Sequence, residues 1–199
     1  MSDRESTVNW WKQKTEELRL QLHLGKKEAE EKFEEEKKRI EHWAETTREE
    51  IGDLSSGKAK AFKAKLDTLR LQAALGKAES KSAVEEQEKK LKLALEDAQK
   101  EAQHLAEDSS EKIATVGRNA QDKMGIWQTQ MDIFRLQLQL GKKEAEVEWE
   151  TKKKQIREKL NEMDHSIEQM KKDGSESLDN FKSEISKSWK HFKSAFSKD

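Results

Sequence analysis

Apolar side chains recur along this chain at steps of three and four residues, and one stretch of that pattern is used three times. It reads Leu18-Arg-Leu-Gln-Leu-His-Leu-Gly-Lys-Lys-Glu-Ala-Glu30 and returns, with changes, from Leu69 and from Phe134. An aromatic residue precedes each copy by seven positions, at Trp11, Phe62 and Trp127. An apolar anchor follows fifteen positions on, at Phe33, Val84 and Trp149, which makes the repeating unit about forty residues.

The three- and four-residue steps are those of one face of an α-helix. They predict a first helix over about 5–51, with Trp11, Leu18, Leu22, Ala29, Phe33, Ile40, Ala44 and Ile51 facing inward. Gly52-Asp-Leu-Ser-Ser-Gly57 then breaks the pattern, and its glycines and serines predict a turn that folds the second helix, about 58–108, back on the first. From Phe62 to Met170 the apolar face keeps its phase at close to 3.6 residues per turn, nearer to straight helices and the eleven-residue class than to a strict heptad. That continuity allows the helix to run on, but Asp108-Ser-Ser110 and Gly117-Arg-Asn119 are poor helix interior and favour a turn between 108 and 119. A third helix, about 119–172, ends at Asp173-Gly174. The last segment, 175–199, is amphipathic, with Phe181, Ile185, Trp189, Phe192 and Phe196 on one face. The expected fold is all-α: an elongated antiparallel helical bundle or coiled coil of three long helices in 1–172, with a short C-terminal amphipathic helix.

Within the repeated stretch the leucines alternate, which alone would suggest a strand, but the long charged flanks with helical period override so short a run. On a helix, Leu18 and Leu22 lie on the main seam. Leu20 and Leu24 point almost the other way, because two residues advance about 200°. Leu71 with Leu75, and Leu136 with Leu140, preserve this second pair. A helix that is apolar on two sides needs two neighbours, so these leucines are the expected packing or oligomer interface. Gly25, Gly76 and Gly141 occupy one register in the three copies, and glycine costs about 1 kcal/mol in a helix interior relative to alanine. Their repetition predicts close approach of backbones there.

Composition supports long helices. Charged residues make up 41% of the chain and hydrophobic ones 32%, with no proline; a net charge of −1 together with six Trp and six Phe argues against disorder. The same balance argues against a nucleic-acid partner, which would call for a basic face. The absence of cysteine excludes disulfides. The polar start and the lack of a long apolar run lead to the expectation of a soluble, cytoplasmic protein.

No pattern points to catalysis, a metal or a cofactor. The five histidines are scattered, and Glu101/His104 and Glu162/His165 have the Glu-x-x-His spacing of di-iron bundles but lie beside the seam. The glycines are isolated and form no phosphate loop. The aromatic face of 175–199 offers two readings, a membrane-interface helix or a fourth helix packed on the bundle or on another helical protein. Five lysines against four carboxylates give that segment only a weak positive charge.

The Leu-Gly-Lys-Lys-Glu-Ala-Glu stretches, with the tail pattern Trp189-x-x-Phe192-x-x-x-Phe196, resemble a bacterial family of small coiled-coil stress-response proteins. The resemblance implies a cytoplasmic, non-enzymatic protein induced under stress, with no residue-level activity to carry over. The eleven-residue tendency is also similar to that of desiccation proteins and apolipoproteins, although six tryptophans depart from the former. The function expected is that of a self-associating structural or interaction protein with a stress-protective role, the alternative being peripheral membrane binding through the C-terminal helix.

Overall fold

The computed structural model describes residues 3–52, 56–139 and 143–172. Leu140, Gly141 and the C-terminal face from Phe181 through Ile185, Trp189 and Phe192 to Phe196 lie outside the described residues. Six helices make up the described chain: α1 Asp3–Gln21, α2 Lys26–Ile51, α3 Gly57–Ala73, α4 Lys81–Ala106, α5 Glu111–Leu138 and α6 Lys143–Lys172. Among the described residues there is no strand. The chain is all-α, as the periodicity predicts.

The long helices are divided, and this corrects the expected spans. The helix over 5–51 is α1 and α2, that over 58–108 is α3 and α4, and that over 119–172 is the later part of α5 followed by α6. Each division falls within a copy of the repeat. At the first, the chain tightens as His23 N donates to Leu20 O at 3.0 Å and Leu24 N to Gln21 O at 3.1 Å, the three-residue closure that often ends a helix. Gly25 follows at once, where continued helix would be least favoured. At the second, α3 stops at Ala73, three residues before Gly76, and α4 restarts with Ser80 Oγ accepting from Ala83 N at 3.2 Å.

The turn after α2 is the expected one. Gly52 takes a left-handed φ of +51°, which a glycine adopts without a Cβ penalty. Ser56 then caps α3 by accepting from Ala59 N at 3.1 Å. The turn between α4 and α5 occupies 107–110, so Asp108-Ser-Ser110 makes it and Gly117-Arg-Asn119 is helical.

Two compact units result, one built on α1 and α6 and the other on α2 to α5. In the first, Arg19 pairs with Asp164 at 2.6 Å and donates to Asn161 at 2.7 Å, while Thr15 donates to Asp164 at 3.0 Å. Arg157 meets His23 at 3.3 Å, so the two helices run antiparallel. Val8, Trp11 and Leu18 on α1, Leu22 just past its end, and Trp149, Ile156, Leu160, Met163 and Ile167 on α6 are buried.

In the second unit every pair of helices joined by a turn is antiparallel. Arg48 meets Asp67 and Arg70 meets Glu45 between α2 and α3; Lys65 meets Asp97 between α3 and α4; Lys92 meets Asp132 between α4 and α5. The bundle is closed by α2 against α5, where Phe33 stacks on Phe134 with centroids 4.4 Å apart and Trp43 meets Trp127 edge-on at 5.0 Å. Leu66, Leu69, Leu91, Leu95, Ala98, Ala102 and Leu105 fill the interior.

Candidate functional site

The leucine pairs of the repeat fall where helices end. Leu18, Leu22, Leu69 and Leu138 are buried, whereas their alternating neighbours face outward: Leu20 is 67% exposed, Leu71 63% and Leu75 40%. Leu24 and Leu136 are half-buried. Within α3 and the connection after it, Leu71 and Leu75 face outward, and Leu20 does so at the end of α1.

The two described repeat glycines do not lie where the spacing places them. Gly25 and Gly76 are exposed in the connections rather than in helix interiors, and a Cβ added at Gly76 would meet nothing within 4 Å. Close approach occurs instead at Gly117, which the sequence suggested as a turn residue. A Cβ there would lie 2.8 Å from Ala102 O and 2.9 Å from Ala106 Cα, and would strike Ala106 N. Only a residue without a side chain lets α5 cross the end of α4 at that distance. The signal available in the sequence was Ala102 and Ala106 four residues apart, facing a glycine on the same seam.

The connection that contains Gly76 has a different role. Lys37, buried on α2, donates to the carbonyl oxygen of Leu75 at 2.6 Å, to Gln87 Oε1 at 3.0 Å and to Glu34 Oε2 at 3.1 Å. Gln87 in turn donates to Gly76 O at 2.8 Å. The ammonium therefore uses all three protons, which is how a buried lysine is accommodated. Lys37 and Gln87 together fasten the second repeat's connection to α2 and α4. Next to Lys37 in sequence, buried Glu36 accepts from Trp127 Nε1 at 3.2 Å and pairs with Arg39 at 3.0 Å and Lys32 at 3.3 Å. Nothing in this run of Glu and Lys marks which of them turns inward.

Glu88 on α4 is the buried carboxyl that stands apart. Its Oε1 accepts no hydrogen bond. Burial pushes the carboxyl up to about 7, although Lys92 and Arg135 pull it down. Asp132 and Glu85 add to the upward shift.

His23, His42, His104 and His165 are exposed. Among the described residues no group of three or more His, Asp or Glu side chains is placed to hold a metal, and no helix is long and apolar enough to cross a membrane. Comparison with protein families, with curated sequences and with solved structures finds no match to this chain.

Proposed function

We propose that this is a non-enzymatic structural or interaction protein that associates with itself through the second leucine face of its repeats. The observation that carries this reading is the exposure of Leu20 and Leu71, at 67% and 63%, on helices whose other leucines are fully buried. Leucine at the same register in three copies, outward in two, is expensive to leave in water; fully burying one such side chain contributes about 1.5–3 kcal/mol. In a chain with 41% charged residues, the outer faces had ready polar substitutes. The resemblance to bacterial stress-response coiled coils adds a protective role under stress in the cytoplasm to the same reading. Self-association, not binding of nucleic acid, also fits the near-zero net charge.

Light scattering behind a sizing column, on the full chain and on the Leu20→Gln/Leu71→Gln variant, tests the proposal. The unmodified chain elutes as an oligomer at micromolar concentration, and the variant shifts towards monomer with its helical circular dichroism unchanged. Equal masses for the two would reject the leucine face as the interface.

A further inference from the structure

The second residue of every repeat copy is an arginine, at Arg19, Arg70 and Arg135. Two of the three pair with a carboxylate on the antiparallel helix beside them. Arg19 meets Asp164 across α1 and α6 at 2.6 Å, and Arg70 meets Glu45 across α3 and α2 at 3.4 Å. Arg135 is exposed on α5, and among the described residues it forms no ion pair. The carboxyl whose charge it pulls on, across α5 and α4, is Glu88.

Glu88 is turned the other way. It is 4% exposed, and its Oε1 meets no donor. Its register in the second copy, counted from Leu69, is the register of Lys37 in the first copy, counted from Leu18. Lys37 is buried there with every proton used, whereas Glu88 holds an oxygen without a partner.

The other charges around Glu88 are occupied or repel it. On α4 itself Glu85 precedes it by three residues and Lys92 follows it by four, and from α5 Asp132 faces it beside Arg135. Lys92 is bound to Asp132. On α2, Lys37 gives its protons to Glu34, Leu75 O and Gln87; on α3, Lys65 and Arg70 pair with Asp97 and Glu45. Among these groups Arg135 is the cation without a bond.

We infer that Glu88 and Arg135 form a proton-operated latch between α4 and α5: the neutral carboxyl stays in the interior, and the carboxylate turns outward onto the Arg135 guanidinium. A neutral carboxyl tolerates a dry site with one oxygen unmet far better than a carboxylate does. Outside, a guanidinium offers the fork of donors that suits a carboxylate, and the third arginine gains the interhelix pair that the first two already have. The proton passes to solvent. Burial holds the carboxyl at about 7, so small changes of pH around neutrality shift the populations. The turn of α5 that carries Arg135 ends at Leu138, where the chain leaves the second compact unit. When Glu88 turns out, that turn loses a packed neighbour, so the latch holds or loosens the exit from the unit.

Side-chain NMR of the full chain tests this, following the Glu88 carboxyl carbon and the Arg135 Nε–H as pH is raised through neutrality. Both signals move with one midpoint near 7. In Glu88→Gln the Arg135 transition is gone. In Arg135→Gln the carboxyl midpoint rises by about 1 pH unit, because the ionised form has lost its partner. Arg70→Gln, at the same register on α3, leaves the midpoint where it was. Circular dichroism checks that the helices persist in each variant. An Arg135 signal that stays flat while Glu88 titrates would overturn the latch, as would an unchanged midpoint in Arg135→Gln. A Glu88 midpoint at the ordinary 4.5 would overturn the switch altogether.

Discussion

The Nζ of Lys37 lies 2.6 Å from the carbonyl oxygen of Leu75, a bond from the interior of α2 to the connection where α3 gives way to α4. It explains how a helix can be broken in the middle of a bundle without leaving its last carbonyl groups unmet. The connection's oxygens at Leu75 and Gly76 are taken by Lys37 and Gln87.

Lys37→Met keeps the aliphatic stem and removes the donors. The loss leaves the Leu75 carbonyl and Gln87 Oε1 without their partner, at about 1–3 kcal/mol in total. Thermal melting followed by circular dichroism should show a lower midpoint. Amide exchange at Lys77 should quicken more than at Leu95, in the core of α4.

Alanine at Gly117 should cost stability, whereas alanine at Gly76 should be nearly neutral. Gly117→Ala gains about 1 kcal/mol of helix propensity but forces a methyl against Ala102 O and Ala106, so it destabilises by roughly 1–3 kcal/mol on balance. Gly76→Ala meets nothing within 4 Å, and its effect lies within about 0.5 kcal/mol of zero. Urea midpoints of the two variants decide it. The reverse order would contradict the crossing of α4 and α5.

Glu88 predicts a pH dependence with a definite sign. Burial holds its carboxyl at about 7 in the folded chain, above the ordinary 4.5, so the folded state keeps a proton that the unfolded state has released. The stability linked to this group is full below about 4.5, falls as pH rises to about 7, and stays low beyond that. Glu88→Gln has no such proton to lose. It should match the parent chain at the acid end of this window and exceed it by roughly 1–3 kcal/mol at pH 8, measured as the difference between urea midpoints. A constant difference across that window would remove Glu88 as the cause.

Phe134→Ala should be among the most damaging single changes in the second unit. It removes a fully buried ring stacked on Phe33 and opens a cavity, at about 3–5 kcal/mol. Trp127 packs on Trp43 nearby, so the fluorescence of Trp127 should move towards the red in this variant.

Much of this fold was legible in the sequence because a buried seam must repeat at the helical period. Trp11, Phe62 and Trp149, with the leucines and alanines between them, are buried where their spacing places them. The turn at Gly52 and the one near Ser109 follow from residues that favour helix ends. What the spacing concealed was the division of each long helix, because the apolar face resumes in phase after the gap between Ala73 and Lys81. A pattern that keeps its phase does not report that the backbone has left the helix. The repeat glycines therefore looked like interior residues, when Gly25 and Gly76 lie in the connections. Lys37 was hidden for another reason: it is one lysine in a run of Glu and Lys, and the carbonyl of Leu75 and the amide of Gln87 that its ammonium meets lie 38 and 50 residues away in sequence. The outward leucines were readable, because Leu20 and Leu71 are two positions from a seam residue and no helix can bury both against one neighbour.

Sedimentation equilibrium of the unmodified chain, from low to high micromolar concentration, tests the proposed self-association through the outward leucines. Self-association gives a weight-average mass that rises with concentration above the 23.2 kDa of one chain. A mass that stays at 23.2 kDa over the whole range would contradict it.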